Sequence, residues 1–180
     1  DGDPSTNDVC TLTATGESAA IKDGSAESTI FADALNGLMQ ALAVDIIRDA
    51  EGASKFITIL VEGGATSEEC LQVAYTVAES PLVKTAFFAS DANWGRILAA
   101  VGRAGLVELR VEAVQIYLDE VLICERGGRA DSYTETQGSA VMSKEDITLR
   151  IVLGRGDSKE TVWTSDLSHD YVRINAEYRT

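Results

Sequence analysis

Histidine, cysteine and positive charge are all scarce in this sequence. There is one histidine, His169, and the three cysteines, Cys10, Cys70 and Cys124, lie far apart. A zinc site needs clustered Cys or His ligands, and a disulfide framework usually needs an even number of cysteines. We therefore expect reduced thiols, a cytoplasmic location, and neither a metal nor a prosthetic group as cofactor.

The shortage of basic residues restricts the possible partners. Fifteen Lys and Arg residues face 29 Asp and Glu residues, which gives a net charge of −14. Such a surface repels phosphate backbones and anionic lipid, so we expect no nucleic-acid and no membrane partner. We expect no apolar run that approaches the length of a membrane span, and no signal-peptide pattern is evident. A cationic small substrate or a basic protein remains compatible.

What the chain does contain is enough apolar residue to build a core. Hydrophobic residues make up 45% of the 180 positions, which predicts a single domain over residues 1–180. The chain opens on the turn-forming letters DGDPSTND without an initiator methionine. We interpret it as a processed or truncated piece of a longer polypeptide.

Alternating strand and helix patterns predict a layered α/β (α+β) fold. Strands are expected at residues 9–15, 55–61 and 111–124, and a hairpin at residues 147–153 and 161–166 around a turn at 154–158. Helices are expected at residues 27–48 and from residue 67 up to Pro81. A further helix should run through Ile97, Leu98 and Val101, with Ser90, Asp91 or Asn93 as its cap and Gly105 at its end.

Two polar clusters stand out against this framework. Asp45, Asp49 and Glu51 crowd the C-terminal end of the first long helix, where the helix dipole disfavours negative charge. Lys55 could offset Glu51, although a solvated acidic helix end explains the pattern equally well. The second cluster, Lys84 to Arg96, places polar side chains at a helix start that could meet an anionic group.

The C-terminal residues 167–180 contain aromatic anchors and are expected to dock rather than fray. They include the letters Ser168-His169-Asp170, the residue types of a hydrolase triad. Consecutive residues cannot face one another as nucleophile, base and orienting acid, so we assign His169 a structural role.

Several blocks of the sequence resemble one known family. DGDPSTND, DAEGASKFITILVEG, SPLVKTAFFASDANWGRILAAVGRAG, GGRADSYTETQG and WTSDLSHDYVRINAEYRT are similar, in this order, to blocks of the ornithine acetyltransferase or ArgJ family, the bifunctional glutamate N-acetyltransferases of arginine biosynthesis. The likeness runs from Asp1 to Thr180 and corresponds to the C-terminal part of the family's β chain. It implies a sandwich in which sheets pack between helices.

The resemblance also implies a chemistry. The family's precursor cleaves itself before a threonine, which becomes the nucleophile and carries the acetyl group from N-acetylornithine to glutamate in a ping-pong exchange. Some members also accept acetyl-CoA. A Thr-Gly oxyanion hole lies on the family's α chain. No catalytic residue of that kind falls within this chain, because the nucleophilic threonine would lie before Asp1.

Three positions carry over to substrate binding. They are Glu51 from the EGASKF block, Asn175 from the tail, and the terminal Thr180; Ser54 stands where the family usually has threonine. The resemblance further implies an α chain and an N-terminal part of the β chain as partners, in a heterotetramer of two α and two β chains, and an isolated chain without activity. The alternative is a non-catalytic binding or assembly module that kept the fold.

Overall fold

The computed structural model describes Gly2 and residues 7–177. The described residues fall into two compact units, residues 47–177 and residues 7–46 with Gly2, and each is described by itself. The single domain expected over residues 1–180 therefore stays a prediction.

The shorter unit contains no strand in its described part. Residues 9–15 are exposed and irregular, so the strand predicted there is wrong. Their alternating pattern is suitable for a strand, but a strand needs a neighbour to take up its backbone hydrogen bonds, and these residues pair with none of the six strands of the sheet. Helix α1, Ala26–Arg48, begins in this unit and matches the predicted helix closely.

Helix α1 is the most exposed apolar element among the described residues. None of its residues is buried, and Ile30, Leu38 and Ile46 are each more than half exposed. By length and composition alone it could cross a membrane, which corrects the expectation that no apolar run approaches such a length. Core helices of soluble proteins meet the same two criteria, so the expectation of no membrane partner stays untested.

The longer unit is built on one six-stranded mixed sheet. Its order is β4-β3-β2-β5-β1-β6. Strand β1, next to the edge strand β6, runs parallel to β5 and antiparallel to β6. The strands are β1 Phe56–Gly64, β2 Gln115–Leu118, β3 Val121–Glu125, β4 Gly128–Arg129, β5 Asp146–Val152 and β6 Ser158–Ser165.

The predicted hairpin at residues 147–166 is wrong in its pairing. Both strands exist, but β1 lies between β5 and β6, so the loop at 154–158 crosses over a strand. The local sequence has the turn residues of a hairpin. The register of β1 with both neighbours, in which Ile59 faces Leu149 on one side and Val162 on the other, decides against it.

Helices cover one face of this sheet. Helix α2 packs on β1 and β6 and also contacts α4, while α5 contacts β3. Alternate residues of β1, among them Ile57, Ile59 and Val61, are fully buried in this core. The helices after α1 are α2 Ser67–Ala78, α3 Pro81–Phe88, α4 Trp94–Arg103, α5 Glu135–Met142 and α6 His169–Glu177.

The remaining element predictions are refined rather than overturned. Asn93 caps α4 through its side chain, and Gly105 follows its end with a φ of +80°. Pro81 begins α3 at the first helical position, where its missing amide hydrogen is not needed, instead of only closing α2. Residues 111–113 form a 3₁₀ turn before β2. The α/β class is confirmed.

Candidate functional site

Glu51 and Asn175 lie side by side although 124 residues separate them. The side-chain amide of Asn175 donates from Nδ2 to Glu51 Oε2 at 3.2 Å and to the carbonyl of Tyr171 at 2.9 Å. Both Glu51 and Asn175 are exposed. Both hydrogens of the Asn175 amide are used in these two bonds, so the groups left for a ligand are acceptors, the Glu51 carboxylate and the Asn175 carbonyl oxygen, which can receive hydrogen bonds from an ammonium group.

The sheet brings these two residues together. Strand β1 starts at Phe56, which pairs with Ser165 at the end of antiparallel β6. The loop before β1 and the segment after β6 therefore emerge at the same place. Helix α1 ends at Arg48 and α6 begins at His169. Glu51 therefore lies in the loop that leads into β1, Asn175 lies in the helix that follows β6, and both are at the same end of these two strands.

Ser168 joins the two segments directly. Its hydroxyl donates to the carbonyl of Gly52 at 2.6 Å and accepts from the amides of Asp170 at 3.1 Å and Tyr171 at 3.2 Å. The two accepted bonds are those of a side chain that caps a helix N-terminus. One buried hydroxyl thus fixes both the start of α6 and the backbone next to Glu51.

Gly52 allows this close approach. Its φ is +69°, and a Cβ at this position would lie 2.7 Å from the backbone nitrogen of Tyr171 and 2.9 Å from Ser168 Oγ. A side chain here would have to displace helix α6, and it would also strain the backbone. The spacing of the loop and the helix depends on the missing side chain.

Asp166 holds the other side of the same loop. Its carboxylate accepts from the amides of Ser54 at 2.8 Å and Lys55 at 2.9 Å, and from the hydroxyl of Ser54 at 2.5 Å. The residue is 3% exposed. Three donors compensate for the loss of water around this buried charge. A threonine at position 54 would offer the same hydroxyl.

Lys84 anchors the segment that carries Asp166. Its Nζ donates to Thr164 Oγ1 at 2.8 Å and to the carbonyl of Ser165, and it is 3% exposed. Burial lowers the pKa of Lys84 from 10.5 to about 8, while the carboxylate of Asp166 acts in the opposite direction. A buried ammonium on α3 is thus tied to the end of β6.

Lys55 does not offset Glu51, so that expectation is wrong. Lys55 Nζ donates to Ser90 Oγ at 3.1 Å, and the carboxylate of Glu51 meets Asn175 instead. The positive charge at the end of α1 comes from Arg48, which pairs with Asp146 at 2.7 Å and stacks on Phe56 at 4.0 Å. A basic residue in the last turn is the charge that the carbonyl end of a helix favours.

An open cavity of about 420 Å³ adjoins the loop that follows Glu51. It presents two basic side chains and one acidic side chain among polar backbone. Such a mixed lining is suitable for a small zwitterion. Its lining residues are Arg48, Ala53, Ser54, Lys55, Phe56 and Glu145.

The consecutive letters Ser168-His169-Asp170 do not form a triad. The hydroxyl of Ser168 is bonded to Gly52, and the ring of His169 packs edge-on against Phe88 with 5.5 Å between centroids. Asp170 pairs with Arg173 in the next turn of α6. Within residues 7–177, no group of three or more His, Cys, Asp or Glu side chains could hold a metal ion.

Of the three residues expected to bind substrate, the structure brings together two. Thr180 lies outside the described residues. Sequence reasoning missed the roles of Ser168 and Asp166. It placed Lys84 in a cluster that could meet an anionic group, whereas the structure buries Lys84 against Thr164 and Ser165. A serine directly before a helical pattern is a recognised cap signal and could have been found, whereas nothing local distinguishes Asp166 from the many exposed acids of the chain.

The comparisons with known proteins agree with this fold. The profile of the ArgJ family matches residues 1–180. The chain is 58% identical to the "Arginine biosynthesis bifunctional protein ArgJ" of Pseudomonas fluorescens (strain Pf0-1) and 55% identical to that of Pseudomonas syringae pv. tomato (strain ATCC BAA-871 / DC3000). In each case the match covers 100% of this chain and 45% of the relative. The chain thus spans somewhat less than half the length of these curated relatives.

A solved structure gives the same result for the fold. The crystal structure of arginine biosynthesis bifunctional protein ArgJ from Bacillus halodurans superposes with a TM-score of 0.89 at 35% identity, over 99% of this chain and 84% of that one. The mixed sheet is therefore that of a class of proteins named for arginine biosynthesis. The chain belongs to the ArgJ family.

Proposed function

We propose that the complete enzyme, this chain together with the further segments its relatives possess, transfers an acetyl group from N-acetylornithine to glutamate. Membership of the ArgJ family supports the reaction class. The observation that carries the role of this chain is the pairing of Glu51 with Asn175 at 3.2 Å on an exposed surface. In this proposal the pair binds the amino-acid part of both substrates.

The chemistry of the pair fits these ligands. N-acetylornithine carries a free side-chain ammonium, and glutamate carries an α-ammonium until it is acetylated. The carboxylate of Glu51 would accept hydrogen bonds from either ammonium, and Asn175 would orient the carboxylate by donating to it. Thr180, at the end of the same tail, is proposed as a third group that contacts the ligand.

In this proposal the groups that react, or that stabilise the reacting atoms, belong to segments outside this chain. A threonine hydroxyl in a preceding segment would attack the acetyl carbonyl, the amide C–N bond would break, and ornithine would leave with the proton. The α-amine of glutamate, once it has lost its ammonium proton, would then attack the acetyl ester; the ester C–O bond would break, and the threonine oxygen would take up the proton that the amine gives up. A Thr-Gly pair on the α chain would stabilise the oxyanion in both steps.

The decisive experiment changes Glu51 in the complete enzyme. Glu51→Ala should lower kcat/KM for N-acetylornithine by about 10- to 100-fold, because a hydrogen bond to a charged group contributes roughly 1.5–3 kcal/mol. Glu112→Ala is the matched control. Glu112 is exposed and lies before β2. If both variants retain wild-type kcat/KM, the assignment of Glu51 is wrong.

The proposal extends to a second donor and to an assembly. The Pseudomonas relatives are named bifunctional, and we propose acetyl-CoA as the alternative acetyl donor, with no other cofactor. Release of free thiol from acetyl-CoA in the presence of glutamate would test it, and no release would reject it. The proposed assembly is a cytoplasmic heterotetramer of two α and two β chains. Intact mass would show whether the chains purify together, and N-terminal sequencing would show whether one of them begins with the threonine that cleavage exposes.

A non-catalytic binding module remains the alternative function. The same purification separates the two, because a module would yield no peptide with an N-terminal threonine and no acetyl transfer.

A further inference from the structure

Two contacts join the loop after α1 to the tail, and a helix cap within the tail shares the hydroxyl of one of them. Ser168 Oγ donates to Gly52 O at 2.6 Å, it accepts two amides of α6, and Gly52 lacks the Cβ that would collide with Tyr171 N. Each contact is adjacent to a residue of the proposed site. Gly52 directly follows Glu51, and Tyr171 is one helical turn before Asn175 and accepts from its side chain.

We infer that Ser168 is a positioning residue, whose hydroxyl sets the spacing of Glu51 and Asn175 and thereby the affinity for the substrate's ammonium group. This inference rests on the proposed function of Glu51. Ser168 itself is buried and its hydroxyl is already committed to backbone groups, so it acts through Glu51 and not on the ligand.

The geometry explains why a cap at this helix does more than stabilise it. At α5, Thr134 caps the helix through Gln137 N in a capping box whose bonds all lie within the four residues of that box. At α6 the cap side chain has a third bond, to a loop 116 residues away. Loss of the hydroxyl therefore frees the carbonyl of Gly52 and the first turn of α6 together.

Asp166 restricts the movement that follows loss of Ser168 to the residues nearest Glu51. It fixes the loop at Ser54 and Lys55, so the loop is held on one side by Asp166 and on the other by Ser168. Without Ser168, the segment from Glu51 to Gly52 can move while residues 54 and 55 stay in place. A misplacement of about 1 Å can lower catalytic efficiency by as much as about 100-fold.

The test compares Ser168→Ala with Thr134→Ala in the complete enzyme. Both variants lose a helix cap and should lower the melting temperature, Ser168→Ala by more because it also leaves the carbonyl of Gly52 without its donor. Only Ser168→Ala should also lower kcat/KM for N-acetylornithine, by about tenfold or more and chiefly through KM. Ser168→Thr, which keeps the hydroxyl, should recover most of this loss.

A double-mutant cycle with Glu51→Ala shows whether Ser168 acts through Glu51. In the Glu51→Ala background, Ser168→Ala should have little further effect on kcat/KM. An equal effect in both backgrounds, or an unchanged kcat/KM in Ser168→Ala while Glu51→Ala is impaired, overturns the inference and leaves the proposed function intact. An unchanged kcat/KM in Glu51→Ala instead rejects the proposed function, and the inference with it.

Discussion

The two ends of strand β1 are built from similar parts but differ in what they leave exposed. At its last residues, the exit end, Glu69 accepts from the amide of Ala65 at 3.0 Å and from two nitrogens of Arg155 at 2.9 and 3.1 Å. At its first residues, the entry end, Asp166 likewise accepts from two amides, at 2.8 and 2.9 Å. Each end thus uses a carboxylate to hold a loop.

The difference lies in the charges. Glu69 at the exit end has a bidentate arginine, and its pKa is lowered chiefly by the hydrogen bond to Arg155. Asp166 at the entry end is held by neutral donors, and Lys84 bonds to Thr164 and Ser165. The entry end presents Glu51 and Asn175 to solvent. We therefore expect changes at the exit end to affect stability alone, and changes at the entry end to affect stability and substrate affinity.

The largest loss should come from Asp166→Ala in the intact protein. It leaves the amides of Ser54 and Lys55 without their acceptor, so the free energy of unfolding should fall by roughly 3–5 kcal/mol, and kcat/KM should fall as well. Denaturant unfolding followed by the fluorescence of Trp163 on β6 measures the first effect. Asp157→Ala, an exposed acid of the exit-end loop, should change stability by less than about 0.5 kcal/mol. Equal losses in the two variants would contradict the comparison.

Lys84, at the entry end, should make the free energy of unfolding depend on pH. Because its pKa is lowered from 10.5 to about 8, the unfolded chain binds a proton between these values that the folded chain has lost. The free energy of unfolding should therefore rise with pH across this window, by roughly 2–3 kcal/mol relative to Lys84→Met. The buried thiols titrate in both proteins and cancel in the difference. The exposed Lys144→Met serves as the control. A wild-type minus Lys84→Met difference that stays flat from pH 8 to 10.5 would rule out a desolvated ammonium.

Gly52→Ala should lower the free energy of unfolding by about 1–3 kcal/mol, because an alanine there strains the backbone. It should also raise KM for N-acetylornithine, because the new Cβ displaces α6. Gly105→Ala separates the two contributions. Gly105 has a similar φ of +80°, but its nearest contact for a Cβ is an ordinary 3.5 Å. This control should lose stability without any change in KM. An unchanged KM in Gly52→Ala would mean that the loop and α6 move independently.

At the exit end, Arg155→Met should reduce stability and leave KM unchanged. Glu69 has a lowered pKa, so its pairing stabilises the fold above about pH 4.5 and the contribution is lost as the pH falls below that value. The stability difference between wild type and Arg155→Met should accordingly shrink in acid. Arg126→Met, which removes an exposed pair with Asp131, should show a much smaller difference at neutral pH. A raised KM in Arg155→Met would break the distinction between the ends.

The sequence could predict what depends on neighbours along the chain. Apolar spacing predicted α1, α2 and α4, and side-chain chemistry identified Asn93 as a candidate cap. The pairing of β5 and β6 could not be predicted in this way, since the insertion of β1 between them depends on distant contacts. Helix α5 was missed for another reason, because its letters ETQGSAVM lack a strong apolar repeat and its core contact rests on Val141 and Met142.

The residues of the candidate site likewise fall into those that could be expected from the sequence and those that could not. Glu51 and Asn175 were expected from the resemblance to a family and are found together, while their binding role stays a prediction. Their supports were not expected, because Asp166 and Ser168 act on backbone groups more than one hundred residues away. Turn and cap signals describe only local partners, so a hydroxyl that serves two segments is visible only in three dimensions.

The most direct test of the account is a crystal structure of the complete enzyme with N-acetylornithine bound. We predict that the side-chain ammonium of the ligand lies within hydrogen-bonding distance of the Glu51 carboxylate, with Asn175 still beside it and Ser168 still bonded to Gly52. A ligand bound elsewhere, with Glu51 and Asn175 facing only each other, would contradict it.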